Sequence, residues 1–227
     1  HPVTLSPGHL VTQSTPHNLP PQFTPFIGRS QELQKLMELL QAGRFHLITL
    51  LGEGGVGKTR LALAAGEKLL FHFTDGVWFV SLAGLDRAAA GSASRLENRE
   101  SKALLEAAGL MLGLLANAAQ VSVLATSREP LKIQAERIFR LQGLAVPEEN
   151  DWETAVTSDS LQLFADRSER ATGQNLLTPE NLPLLRHLCR FVNGLPLGVV
   201  LMAEWARWAS LGAGAAEWRT DLLQTAR

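Results

Sequence analysis

Short apolar runs alternate along residues 30–141 with stretches of helical periodicity. The runs 45–51, 77–82 and 121–126 are apolar at most positions, which is typical of strands that are buried on both faces of a parallel sheet. The run 137–141 alternates between polar and apolar residues, so we expect this fourth strand near an edge of the sheet.

Helices are predicted between these strands. From Ser30, leucine residues recur at three- and four-residue spacing, which predicts a helix that Ser30 caps and Gly43 ends. A second helix is predicted to follow the strand 45–51 and to extend to about Phe73, and a third spans 102–118. Strands that alternate with helices predict a three-layer α/β domain, in which helices cover both faces of a parallel sheet.

After Pro147 the apolar pattern is helical. We therefore expect an α/β domain over 22–147 and a small all-helical subdomain over 148–227. The predicted helices of this subdomain are 158–172, 180–192, 196–209 and 215–225.

The N-terminal segment is rich in proline. Six of the eleven prolines lie within the first 25 residues, with threonine, serine, glutamine and histidine between them. Such a segment buries too little apolar surface to offset the entropy lost on ordering, so residues 1–21 are predicted to be a disordered linker. Because the first residue is His1 and not methionine, we expect the chain to be part of a longer protein.

The composition is nearly neutral in charge and moderately apolar. The chain has 227 residues, 45% of them hydrophobic, a formal net charge of -1 and a pI of about 6.7, so no general attraction to nucleic acid or anionic membranes is expected. No predicted helix has a clustered basic face, and no apolar run is long enough to span a bilayer. The single cysteine, Cys189, allows no intramolecular disulfide, and a cytoplasmic location is the simplest expectation.

One segment carries recognisable chemistry. Residues 52–59 read Gly-Glu-Gly-Gly-Val-Gly-Lys-Thr, a complete GxxxxGK(S/T) phosphate-binding loop between a predicted strand and a predicted helix. Its glycines allow the backbone to approach phosphate oxygens, and the N–H groups and the positive end of the next helix dipole face the anion. Lys58 is expected to reach the β- and γ-phosphates, and the hydroxyl of Thr59 to help hold Mg²⁺. The motif predicts binding of a nucleoside triphosphate or diphosphate.

Three further motifs accompany this loop in sequence order. Phe26-Ile27-Gly28-Arg29 precedes it, and Leu124-Ala125-Thr126-Ser127-Arg128-Glu129 and Gly194-Leu195-Pro196-Leu197 follow it. Together the four motifs resemble the STAND class of signal-transduction P-loop NTPases, which are related to AAA+ proteins, and specifically the NB-ARC-like modules of bacterial signalling and transcriptional regulators. The resemblance covers about residues 20 to 210 and implies a P-loop NTPase fold.

The resemblance implies a role for each motif. Phe26, Ile27 and Arg29 would lie against the adenine, Arg128 would sense the γ-phosphate, and Pro196 would belong to the segment that closes over the nucleotide. Taken alone, Phe26 and Ile27 are also explained as core residues, and Arg128 is also explained as a solvated loop residue. The predicted nucleotide-binding residues are Phe26, Ile27, Gly28, Arg29, Gly52, Gly54, Gly55, Val56, Gly57, Lys58, Thr59, Arg60 and Pro196. Lys58 and Arg128 are the predicted catalytic residues, and Thr59 is the predicted metal ligand.

One element of the family pattern is not found. These ATPases carry a Walker B strand, which ends in an acid that helps to hold Mg²⁺. Asp86 and Glu106 are weak candidates for this acid. Either the chain lacks the strand, or residues of the natural protein are missing between about 83 and 105. We favour missing residues, because Asn98-Arg99-Glu100 is followed directly by Ser101-Lys102, at the place where relatives would begin the acidic strand.

The expected function is an ATP- and ADP-binding switch module of a larger regulatory protein, with Mg²⁺ and at most slow ATP hydrolysis. One alternative is a scaffold for protein–protein interaction that nucleotide stabilises but that does not hydrolyse ATP. A third is a P-loop phosphotransferase, for which neither a substrate lid nor a carboxylate base is recognised. The expected partners are other domains of the same protein and, on activation, further copies of the chain. Contact of this part with membranes or nucleic acid is not expected.

Overall fold

The computed structural model describes residues 15–82, 108–118, 120–148 and 151–212, with side chains as far as residue 205. The predicted helix 215–225 and both candidate acids, at positions 86 and 106, lie outside the described residues. Within the described ranges the chain forms a parallel sheet with helices, followed by a group of helices. The expected α/β class with a parallel sheet is therefore confirmed.

The described sheet is centred on β1 (Leu47–Leu51), which lies between β2 (Val123–Ser127) and β3 (Glu136–Arg140). Both neighbours run parallel to β1, and its five residues align in register with five residues of each. Every residue of β1 is buried, whereas β2 and β3 are only partly buried. A continuous apolar run therefore marks the central strand, and the alternating run pairs with β1 alone among the described strands.

One face of β1 packs against α1 (Ser30–Gln41) and α2 (Lys58–Lys68). Ile48 and Leu50 lie in this cluster with buried leucines of both helices, such as the fully buried Leu61. The same cluster holds β1 and α2, and residues 52–57 connect the two elements. The phosphate-binding motif is thus located between a central strand and a packed helix.

The other face of β1 carries a smaller cluster. Leu47 packs there with Ala125 of β2 and with Met111 and Leu115 of α3, which is helical over 108–117 in the described part. Helices therefore contact both faces of the described sheet, as expected for a layered α/β domain.

The predicted strand 77–82 is not a strand. Only Val77 forms a bridge, to His17, and Trp78 and Val80 are 62% and 73% exposed. The apolar run is therefore not buried between layers, and its partner is the N-terminal segment. The side-chain amide of Asn18 bonds both to the backbone N–H and to the carbonyl oxygen of Phe79. These contacts attach the last part of the predicted linker to the domain.

The helical subdomain contains α4 (Trp152–Thr157), α5 (Asp159–Thr172), α6 (Leu182–Phe191) and α7 (Pro196–Gly212). The predicted helices 158–172, 180–192 and 196–209 correspond to the last three. Their shared core is built around the fully buried Phe164 of α5. No helix within the described part of the chain is both long and apolar enough to cross a membrane.

Cys189 lies in this core with 1% of its surface exposed. Burial raises the pKa of its thiol to about 12. We therefore expect the native protein to react with the thiol reagent DTNB at pH 8 more than about 100-fold more slowly than the chain unfolded in urea, because the native thiol is protonated and covered. The rate, followed by absorbance, should rise only as the pH approaches the raised pKa. Equal rates for native and unfolded chains at pH 8 would contradict this packing.

Candidate functional site

The phosphate-binding motif lies at the carboxyl end of β1, where both neighbouring strands also end. The backbone N–H of Gly52 donates to the carbonyl oxygen of Ser127, the last residue of β2, over 3.4 Å. On the other side, a Cβ placed on Gly52 would lie 2.7 Å from the carbonyl oxygen of Leu141, just after β3. Glycine is thus required at this position by the close approach of the backbone at Leu141.

Two further loop glycines have left-handed backbone conformations. Gly55 and Gly57 have φ angles of 78° and 93°, which L side chains rarely adopt. Gly54, in contrast, has nothing within 4 Å of the position that a Cβ would take, so its side of the loop is open. The described loop therefore combines backbone conformations that favour glycine with one accessible face.

Lys58, the first residue of α2, is folded onto this loop. Its Nζ donates to the carbonyl oxygens of Gly52 and Glu53, each at 2.8 Å. Burial and, to a smaller extent, the charge of Arg128 lower the pKa of Lys58. Two cations at the same sheet edge repel each other, and an anion placed beside them would relieve this repulsion.

Arg128 and Thr59 are exposed at this edge. Arg128 directly follows β2, and Thr59 lies in the first turn of α2, next to Lys58. Neither flanking strand ends in a carboxylate, because β2 ends in Ser127 and β3 in Arg140. The predicted metal ligand Thr59 is therefore an exposed residue, and neither described neighbouring strand ends in an acid.

The predicted adenine motif lies between the α/β domain and the helical subdomain. Phe26 packs against the cluster of α1 and α2, whereas Ile27 packs against the helical core. Gly28 has a φ angle of 74°, and a Cβ there would lie 2.6 Å from Cγ of Asp159. Neighbouring residues of this motif therefore contact different parts of the protein.

A cleft of about 540 Å³ opens beside this motif. Its walls include Phe26 and Gly28 from the motif, Ala64 from α2, and Asp159 and Gln162 from α5. The lining also includes the charged residues Glu67 and Lys68 at the end of α2, and it includes no residue of the phosphate-binding loop.

Arg29 is a buried cation with only 3% of its surface exposed. It stands before α1 in a left-handed conformation, with a φ of 59°, so Arg29 and not the predicted Ser30 occupies the cap position. Its Nη2 donates to the carbonyl oxygens of Val56 at 2.9 Å and Gln142 at 2.6 Å, and its Nη1 bonds Glu32 at 3.1 Å. Burial lowers its pKa, and the carboxylate of Glu32 partly offsets that effect.

Arg60 ties the first turn of α2 to the N-terminal edge. Its Nη1 donates to Oγ1 of Thr24 at 2.8 Å, and its Nη2 donates to the carbonyl oxygens of Thr24 and Pro25. Burial and then the charge of Arg167 on α5 lower the pKa of Arg60. The side chain thus holds the segment that leads into the Phe26–Arg29 motif.

The first residues of α7 touch the phosphate-binding loop. The backbone N–H of Leu197 donates to the carbonyl oxygen of Gly55 over 3.1 Å. A Cβ on Gly57 would lie 3.8 Å from Cγ of Pro196. The structure therefore brings Pro196 to the same loop as Lys58, although the two are far apart in sequence.

Sequence reasoning did not single out Asp159. Its carboxylate accepts a hydrogen bond of 2.8 Å from the backbone N–H of Arg29, which is 130 positions away in sequence. As the first residue of α5, an aspartate is explained by the helix dipole alone. No local signal distinguishes this role from ordinary helix capping.

No protein-family profile matches the chain, and no solved structure is significantly similar to it. An uncharacterized protein of Mycobacterium tuberculosis is 26% identical over 219 residues, which include 84% of this chain and 53% of that protein. A Mycobacterium tuberculosis protein named as a candidate HTH-type transcriptional regulator is 28% identical over 190 residues, with 71% of this chain and 20% of that protein covered. Proteins of Mycobacterium bovis give the same values.

The chain spans about half the length of the first of these relatives and a fifth of the second. It is thus similar to part of longer proteins, one of which is named as a regulator. In both comparisons the aligned length exceeds the covered share of the 227 residues, so the relatives contain positions without a counterpart in this chain.

Proposed function

We propose that this chain is an adenine-nucleotide-binding switch module of the STAND type, within a larger regulatory protein. The observation that carries the proposal is the convergence of three elements on one loop. The ammonium group of Lys58 donates to a loop carbonyl, and the charge of Arg128 lowers the pKa of Lys58. The backbone N–H of Leu197 donates to the carbonyl oxygen of Gly55 in the same loop. Binding of a nucleotide at that loop would thus be sensed by the sheet and by the helical subdomain together.

The residues present fit a phosphate group. The loop offers left-handed glycines, an open face at Gly54, the positive end of α2, and the cation Lys58, whose pKa is lowered by burial and by the charge of Arg128. In this proposal Lys58 holds the β- and γ-phosphates and Arg128 responds to the γ-phosphate. The proposed site of the adenine ring is the edge of the loop at Gly57, which lies near both Pro196 and Arg29.

The metal part of the proposal rests on fewer groups. A bound Mg²⁺ would neutralise phosphate charge, and the exposed hydroxyl of Thr59 is the proposed ligand. The acid that completes such a site is absent from the ends of β2 and β3.

The absence of an acid at the ends of β2 and β3 supports a second candidate function, a nucleotide-stabilised scaffold that recruits other domains without hydrolysis. The discriminating measurement is Mg²⁺-dependent release of inorganic phosphate from ATP by the purified chain. Slow release that stops in a Lys58→Ala variant supports the switch with a timer. Nucleotide binding without any release supports the scaffold.

Arg128 provides the specific test of the switch. We expect Arg128→Ala to weaken ATP binding by about tenfold, because it removes one hydrogen bond to the charged γ-phosphate. ADP has no γ-phosphate, so its binding should change by less than about twofold. Isothermal titration calorimetry with both nucleotides measures this difference. The matched control is Arg44→Ala, an exposed arginine before the opposite end of β1. Equal losses for ADP and ATP would argue against a γ-phosphate sensor.

A further inference from the structure

The left-handed turn at Gly28 and Arg29 is held by a residue of the helical subdomain. The carboxylate of Asp159 accepts the N–H of Arg29 at 2.8 Å, and it packs so closely on Gly28 that a Cβ there would lie 2.6 Å from its Cγ. A left-handed conformation is unfavourable for arginine, so the turn needs such compensation.

The first turn of α5 is itself fixed in place. The hydroxyl groups of Ser158 and Ser160, on either side of Asp159, both donate to the carbonyl oxygen of Ala145, at 3.1 Å and 2.8 Å. Ser160 is fully buried. These bonds attach the start of α5 to the segment after β3, and they limit the positions that the Asp159 carboxylate can take.

Arg29 passes this constraint to the phosphate-binding loop. Its guanidinium group holds the carbonyl oxygens of Val56, inside the loop, and of Gln142, after β3. The carbonyl of Val56 and the N–H of Gly57 belong to one trans peptide unit and therefore point in opposite directions. A carbonyl that is fixed on Arg29 consequently directs the N–H of Gly57 away from Arg29.

We propose that Asp159 is a positioning residue for the phosphate-binding loop, which acts through the backbone and then the guanidinium group of Arg29. Asp159 thereby links the start of the helical subdomain to the orientation of the Val56–Gly57 peptide. The link is a property of the ligand-free chain, and its consequence for nucleotide affinity rests on the proposed function.

Amide hydrogen exchange of the ligand-free protein tests the link. In Asp159→Ala, exchange is expected to rise about tenfold or more in residues 26–33 and 52–60, and to stay unchanged in α6 (Leu182–Phe191). The matched control is Glu169→Ala, which removes an exposed carboxylate from the same helix. Unchanged exchange at 52–60, or an equal rise throughout α6, would overturn the proposal, because the effect would then be absent or merely structural.

Two additions keep the test decisive. Asp159→Asn retains an acceptor oxygen of the same geometry, so it is expected to restore at least half of the protection at 52–60. If Asp159→Ala does not fold, Asp159→Ser replaces it, because serine is well tolerated in the first turn of a helix but lacks the carboxylate. A loss of protection as large as that of alanine would contradict a hydrogen-bonding role. ADP titration should show several-fold weaker binding for Asp159→Ala than for Glu169→Ala. If the unmodified protein binds no ADP, the proposed function fails, whereas the exchange result still decides the role of Asp159.

Discussion

Replacing Lys58 by alanine is expected to weaken the binding of both ADP and ATP by at least about tenfold, since hydrogen bonds to a charged group contribute about 1.5–3 kcal/mol. The ammonium group of Lys58 belongs to the loop motif and lies within hydrogen-bonding distance of two loop carbonyl oxygens. Isothermal titration calorimetry with each nucleotide measures the loss directly.

The matched control for this experiment is Lys35→Ala, because Lys35 is an exposed lysine on α1. It should leave both affinities unchanged within about twofold. Thermal unfolding of the ligand-free variants separates lost binding from lost structure. A Lys58→Ala protein that is folded and retains the affinity of the unmodified chain would remove the phosphate-binding role from this motif.

Gly194→Ala is expected to destabilise the protein by about 3 kcal/mol, through backbone strain, a steric clash and a lost hydrogen bond. Gly194 has a φ of 62°, and a Cβ there would overlap the carbonyl oxygen of Leu144. The N–H of Leu144 also donates to the carbonyl oxygen of Gly194 over 2.8 Å. This contact joins the segment after β3 to the turn that reaches the phosphate-binding loop.

Comparison with Gly173→Ala separates the steric clash from the backbone strain. Gly173 has a similar φ of 75° after α5, but nothing lies within 4 Å of the added Cβ. Its cost should therefore be about 1 kcal/mol, the strain of a left-handed alanine alone. Urea unfolding followed by circular dichroism gives both free energies of unfolding. Equal values for the two variants would mean that the close approach of Gly194 to Leu144 does not contribute to stability.

Local motifs made the central part of the fold predictable. A continuous apolar run, a complete phosphate-binding motif and a helical period follow one another from residue 45, and β1 and α2 lie within the predicted ranges, although α2 ends at Lys68 and not near Phe73. Each of these signals depends only on neighbouring residues, so no knowledge of the remaining chain is needed.

The signals that failed depend on distant parts of the chain. The run 77–82 has the composition of a strand, but its partner is the segment around His17, and Trp78 and Val80 stay exposed. Ser30 looks like a cap, yet the buried Arg29 occupies that position because its guanidinium group bonds residues on two other segments. The role of Asp159 arises only when the helical subdomain folds against the first motif.

Nucleotide binding itself is the most direct test of the central claim. Thermal unfolding of the unmodified chain should be measured alone, with ADP and with ATP, each with and without Mg²⁺. Ligand at 100 times its dissociation constant should add about 2.7 kcal/mol of stability, and a larger effect with Mg²⁺ would indicate a complete metal site. Unfolding that no nucleotide alters would contradict the assignment of a nucleotide-binding switch.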